Sequence, residues 1–499
     1  MFTRLIQGIT GARPREQLSV LFSFSALLFL LLSYYLVKPL RDSLFFVYFD
    51  STDQAYFSLP IILSSLLTVK LFNHFVGRIS RYKLMLFTFG LVMLCKLVFL
   101  FLLPVSGKWG LILFYLWVSI YFTLVLSILW GVINSIFASH QAERCFGFIA
   151  LGSTLGNFIG SKLSAWLAHS IFKDMPLFIS IVGMVISLSF IFLAVKFQEE
   201  KADSESSIVQ QKPPKKVLRG WQDILSLFQN TYVRGIAMMV FCLALISLAI
   251  QFQAYGQIDR QTAFKIYQQE FVWFDPDFKH FESVYGFKKL NQEQQSKAWA
   301  KLADQKEINR LQSSFASYQK KIEQETRTIF SNVSAYQGVM GFSLLMIARV
   351  LFRFIGLRYL VLVLPLFLFV YASSLMFPIE IAMIQLFMVI SGSLNYSLNN
   401  ATKELLYTPT SEAVRFQSKP LIEGPLMRLG DLTTSFFQIV VVQASVLLLG
   451  LNAFDQGRLL LAISLIFACI WMVCIWQSAS KYDKSQHLTT PVKELDLNA

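Results

Sequence analysis

About twelve stretches of this chain are apolar over roughly twenty residues or more: 18–37, 56–76, 84–104, 110–136, 148–171, 176–197, 233–254, 335–356, 358–377, 378–399, 434–451 and 458–478. Crossing about 30 Å of hydrocarbon takes about 20 helical residues, since a helix satisfies its own backbone polar groups where no water can. Six runs precede residue 198 and six follow residue 232. The expected fold class is therefore an all-α membrane protein, with about twelve transmembrane helices in two six-helix bundles.

Composition agrees, with 55% hydrophobic residues against 15% charged ones, and 48 phenylalanines to face acyl chains or pack between helices. The first run has no small-residue cleavage site after it and reads as a retained span. A net charge of +14 would suit nucleic acid, but the cations are scattered through short loops and form no folded basic module, so no nucleic-acid partner is expected. They mark orientation instead: Arg4, Arg13 and Arg15, then Arg78, Arg81 and Lys83, then Lys212, Lys215, Lys216 and Arg219 fall on one side, with Arg353, Lys403, Arg415, Lys419, Lys481 and Lys484 continuing the alternation. Positive loops stay inside. Both termini are expected in the cytoplasm of a bacterial inner membrane, with the lipid bilayer as surroundings.

Five regions follow: a bundle at 1–197, a cytoplasmic linker at 198–232 holding Lys212-Pro213-Pro214-Lys215-Lys216, a second bundle at 233–256 and 334–478, an insertion at 257–333, and a cytoplasmic tail at 479–499. In the insertion Trp299, Leu302, Ile308, Leu311, Phe315, Tyr318 and Ile322 recur at helical spacing, so it is read as a small helical module on the outer side.

Charges within apolar spans are costly, roughly 2.5–3.5 kcal/mol each on lenient scales, and so point to function. The expected substrate-binding cations are Lys38, Arg41, Lys96, Lys162, Arg349, Lys403 and Arg428, which together would draw an anion. The plainer use of Lys70 is to snorkel to the headgroups, and Lys96 and Lys162 have structural pairing as their alternative. Asp42, Glu143, Arg144, Glu404, Arg415 and Asp431 are the expected gating residues. The two halves repeat a pattern here: Asn134 to Arg144 and Asn399 to Arg415 each end a helix in polar residues followed by an acid-then-arginine turn. Gly152, Gly156 and Gly160 would let helices approach closely. The five histidines, His74, His140, His169, His280 and His487, have no ligand spacing, and there is no nucleophile elbow or phosphate-cradling Gly-Lys loop, so no metal, no cofactor and no catalytic residue is expected.

Lys38-Pro39-Leu40-Arg41-Asp42-Ser43-Leu44, Ser58-Leu59-Pro60, Trp130-Gly131 through Ala142-Glu143-Arg144 to Gly156-Asn157, and Lys403-Glu404-Leu405-Leu406-Tyr407-Thr408-Pro409 together resemble the ATP/ADP antiporters of intracellular bacteria and plastids. Gly77 to Lys83 is also similar to the basic signature that major facilitator transporters carry between spans two and three. The resemblance implies a major-facilitator-like fold and nucleotide exchange. It puts Arg41 where the family has a substrate-binding lysine and Lys403 as a second cation on the path. The chain departs from that pattern at Asp431, where the family has lysine, at Gln251 and Gln253, where it has an acid near the outer end of span seven, and in spans four and five, which lack one.

Three functions are carried forward: nucleotide antiport by alternating access, transport of another anionic or phosphorylated metabolite, and a non-transporting membrane protein that docks a partner through residues 257–333.

Overall fold

The computed structural model describes residues 16–51, 53–64, 81–137, 139–170, 175–202, 231–290, 292–302, 305–407, 422–450 and 453–487. Its helices are α1 (Gln17–Tyr48), α2 (Gln54–Ser64), α3 (Arg81–Ile136), α4 (Ser139–His169), α5 (Pro176–Ala202), α6 (Thr231–Glu270), α7 (Phe281–Gly286), α8 (Gln292–Leu302), α9 (Gln305–Phe354), α10 (Leu357–Leu375), α11 (Ile381–Leu394), α12 (Asn400–Tyr407), α13 (Met427–Leu449) and α14 (Ala453–His487). Among the described residues there is no strand. Among the described residues seven helices are long and apolar enough to cross a membrane: Gln17–Tyr48, Tyr82–Ile136, Pro176–Phe197, Thr231–Glu270, Leu357–Leu375, Ile381–Tyr407 and Gly457–Lys481.

The two runs 84–104 and 110–136 lie in one continuous helical segment, α3, broken at Gly107, whose φ of 54° is open to glycine and costly to other residues. Pro104 precedes the break. The run at 233–254 lies within α6, which extends on to Glu270, and the run at 335–356 is covered up to Phe354 by α9, which reaches back to Gln305. The insertion is thus walled by the same helices that supply two spans.

The chain divides into two compact units. The first gathers residues 1–50, 63–207 and 258–339; the second gathers 51–62, 208–257 and 340–499. Chain order alone does not produce this division, because the insertion falls with the first half of the sequence and 51–62 with the second.

In the first unit α1 is the central helix. Gly152, Gly156 and Gly160 of α4 abut the carbonyls of Phe24, Leu28 and Leu32 so closely that a Cβ at any of them would come under 3 Å from backbone. Ser164 continues that stripe and donates to the Leu36 carbonyl at 3.1 Å. On another face of α1, Ser187 of α5 donates to the Ala26 carbonyl at 2.7 Å. The small residues therefore exchange side-chain volume for close backbone approach, which is how helices associate where lipid is as apolar as leucine.

The insertion has its own core of Tyr267, Phe271, Trp299, Leu311, Phe315 and Tyr318, matching the helical spacing in its sequence. Part of its attachment is ionic. Lys288 is 6% exposed and bridges Asp50, just after α1, at 2.6 Å and Asp259 of α6 at 2.8 Å. Lys289 pairs with Asp50 at 2.7 Å, Tyr285 donates to Asp259 at 2.6 Å, and Lys108, beside the break in α3, donates to the Lys289 carbonyl at 2.7 Å.

In the second unit α13 lies on α6, with Gly430 against the Phe241 carbonyl and Thr434 donating to the Leu245 carbonyl at 2.8 Å. Ala55 of α2 packs with Ala249, Phe252 and Leu460, and Ser58 contacts Ser435 of α13.

Candidate functional site

The first unit places Lys38, Arg41 and Asp42 on consecutive turns of α1, around Pro39. Arg41 and Asp42 are buried. The guanidinium donates from Nε to Asp42 Oδ1 at 2.8 Å, pairs with the same oxygen through a second nitrogen, donates to Ser119 Oγ of α3 at 2.9 Å, and sits 4.9 Å from the Tyr115 ring centre. Lys38 is half-buried, with its Nζ 5.5 Å from the Tyr35 ring centre. Tyr34 stacks on Phe122 at 3.6 Å, giving this region an aromatic wall.

Lys96 and Lys162 are held elsewhere in the unit. Lys96 is 0% exposed; its ammonium donates to Ser33 of α1 at 2.8 Å and to Ser180 of α5, and it lies 5.2 Å from the Tyr121 ring centre. It braces three helices and presents no surface to a solute. Lys162 of α4 donates to Asn332 of α9 at 2.8 Å and lies over Tyr336 at 4.3 Å. The burial of Lys96 makes arginine the harsher replacement: Lys96→Arg is expected to destabilise by about 1–3 kcal/mol through overpacking, and more than Lys96→Met does. Melting temperatures of the detergent-solubilised variants check this; an arginine variant as stable as wild type would mean that the side chain reaches open space.

In the second unit the two expected cations whose side chains are described, Lys403 and Arg428, are paired. Lys403 of α12 meets Glu423 at 3.2 Å, and Arg428 of α13 meets Asp431 at 3.1 Å. Glu423 stands in a wide helical turn, Ile422–Leu426, and a second such turn, Asn395–Asn399, precedes Lys403. Wide turns of this kind often mark functional sites. Glu404 is exposed. The side chains of Glu143, Arg144 and Arg349, and all of Arg415, lie outside the described residues.

Two expected gates, Asp42 and Asp431, are thus the partners of two expected substrate cations. Each pair is neutral as it stands. Glu423, Ser119 and Tyr115 were not singled out from sequence. Only Glu423, a lone acid beside Gly424 and Pro425, carries a local signal; a serine and a tyrosine among so many in apolar runs carry none. Among the described residues no group of three or more His, Cys, Asp or Glu could hold a metal ion.

Residues 325–482 match the family model for the TLC ATP/ADP transporter, so the likeness read from the sequence motifs extends over most of the second half. No curated protein sequence matches the chain. The fold is shared with solved transporters. A nucleoside transporter, NupG, superposes with a TM-score of 0.54 at 13% identity, covering 93% of this chain and 99% of its own. A bacterial homologue of the human lysosomal transporter Spinster, solved inward-facing and unoccupied, gives 0.52 at 11% identity over 95% and 99%. An autoinhibited POT-family peptide transporter gives 0.50 at 13% over 91% and 96%. The family match over 325–482 points to a membrane transporter and not to an enzyme.

Proposed function

We propose that this chain is a secondary transporter that exchanges nucleotides across a bacterial inner membrane by alternating access. The ATP/ADP transporter match over 325–482 carries this reading, because that stretch holds Lys403, Arg428 and Asp431. The twelve apolar runs in two sets of six, with both termini cytoplasmic, supply the framework. The cations expected from the sequence, Lys38, Arg41, Lys403 and Arg428, supply positive charge for phosphate groups, and tyrosine faces such as Tyr34 and Tyr35 offer stacking surface for a base. A carboxylate already sitting on each arginine leaves those two pairs neutral in the empty carrier. Exchange of one nucleotide for another needs no energy source beyond the two gradients.

Uptake of radiolabelled ATP into cells expressing the protein tests the reading. Saturable uptake is expected, competed by excess unlabelled ADP and lost in the Arg41→Ala, Lys403→Ala double variant. Correctly inserted protein that takes up no nucleotide would sink it. One observation favours a second reading, transport of a different phosphorylated or anionic metabolite: Asp431 stands where the resembling family has lysine, and it occupies Arg428. Competition by GTP and inorganic phosphate in the same assay separates the two.

A further inference from the structure

We infer that the cation of the first unit that receives the anion is Lys38, and that Arg41 is a positioning residue whose charge is already answered inside the protein. This rests on reading the chain as a transporter of a phosphorylated anion, and it departs from the role that the sequence resemblance assigns to Arg41.

The contrast is in what each cation touches. Arg41 has two nitrogens on Asp42 Oδ1, one on Ser119, and its plane near Tyr115. A planar guanidinium held on three sides has little freedom to follow a moving ligand. Lys38, one turn earlier on the same helix, has the Tyr35 face, and among the described residues it makes no side-chain hydrogen bond and has no carboxylate within 4 Å. Asp42 is the natural candidate to neutralise it, being four residues on, but its Oδ1 already accepts both bonds from Arg41. The trio Lys38, Arg41 and Asp42 therefore carries one net positive charge, and that charge resides on the side chain with the fewest contacts. In an apolar bundle such a charge calls for an anion. The lysine ammonium suits a cargo that must also leave, because it is a compact charge with three donors on a flexible stem. Arg41 and Asp42 act through it: by binding each other they keep Asp42 from closing onto Lys38.

Binding of ATP and of inorganic pyrophosphate to the purified full-length protein at fixed salt tests this, with melting temperature as the check on folding. Lys38→Gln is expected to weaken both probes by about tenfold or more with no change in melting temperature, since the side chain makes no hydrogen bond to lose. Lys38→Arg is expected to restore most of the binding. The charge-neutral double variant Arg41→Gln, Asp42→Asn removes the pair and leaves Lys38; it is expected to lose only about threefold. Wild-type binding in Lys38→Gln overturns the inference, as does a double variant that loses as much as Lys38→Gln, or a Lys38→Gln protein that fails to fold. If the wild type binds neither probe, the anion-transport reading falls first and takes this assignment with it.

Discussion

Replacing Gly156 by leucine is expected to remove nearly all folded protein from the membrane. The Cβ alone would come under 3 Å from the Leu28 carbonyl carbon and oxygen, and the neighbouring glycines at 152 and 160 meet Phe24 and Leu32 in the same way. Backbone of a buried helix cannot swing aside as a flexible side chain can. The whole of α1 would have to move off α4, disturbing the Ser164 bond to Leu36 and the seat of Arg41 on the next turns. Overpacking costs about 1–3 kcal/mol where neighbours can adjust and more where they cannot, against a total stability of roughly 5–15 kcal/mol. The yield of monodisperse solubilised protein checks this. Gly183→Ala is the matched control on the α5 face, because its Cβ would find only ordinary contacts at 3.4 Å. Wild-type yield for Gly156→Leu would show that α1 and α4 are not in backbone contact.

The second large effect is expected at Lys288. Methionine there leaves Asp259, 1% exposed, with only the Tyr285 hydroxyl, and leaves Asp50 to Lys289. Removing one partner of a buried pair costs about 3–5 kcal/mol, since the abandoned charge stays out of water. The attachment of the insertion to the first unit should loosen while its aromatic core persists. Faster proteolytic cleavage or faster amide exchange between Glu270 and Gln305 reports it, and adding Asp259→Asn should restore part of the protection. A Lys288→Met protein as protected as wild type would make this ion cluster ornamental. Acid should act in the same direction only at low pH. Burial pushes the Asp50 carboxyl up, but Lys288 and Lys289 more than offset it, so it titrates below its ordinary value of 3.8. A carboxyl depressed in the folded state lends stability above its unfolded pKa and loses it as pH falls through the folded one. The contribution of Asp50 to protection should therefore be the same at pH 5 as at pH 7.

Much of this was legible in the residues. Span length, helical spacing at Ile308, Leu311, Phe315 and Tyr318, and the four-residue repeat from Gly152 to Gly160 are local properties of the chain, set by the thickness of hydrocarbon and the pitch of a helix. Local pattern also located the break near Gly107 between two apolar runs, and it singled out the cations as the costly residues. Their partners were another matter. Asp42 and Asp431 could be paired with Arg41 and Arg428 by proximity along a helix, but Lys403 with Glu423 and Lys162 with Asn332 needed the packing of helices separated in sequence. So did the contrast between Lys96, sealed among hydroxyls, and Lys38, left with an aromatic face; both are lysines in apolar spans, and hydropathy prices them alike.

The sequence by itself determined that the chain is helical, membrane-embedded and rich in intramembrane cations, because each of those follows from short windows of residues and the solvent they can tolerate. Only the tertiary structure decided that the insertion belongs with the first unit, with Lys288 in an ion cluster that ties them, and that Lys38 meets an aromatic face where Lys96 meets hydroxyls. Ion pairing depends on distances of a few ångströms between groups brought together by folding, and sequence separation does not encode those distances.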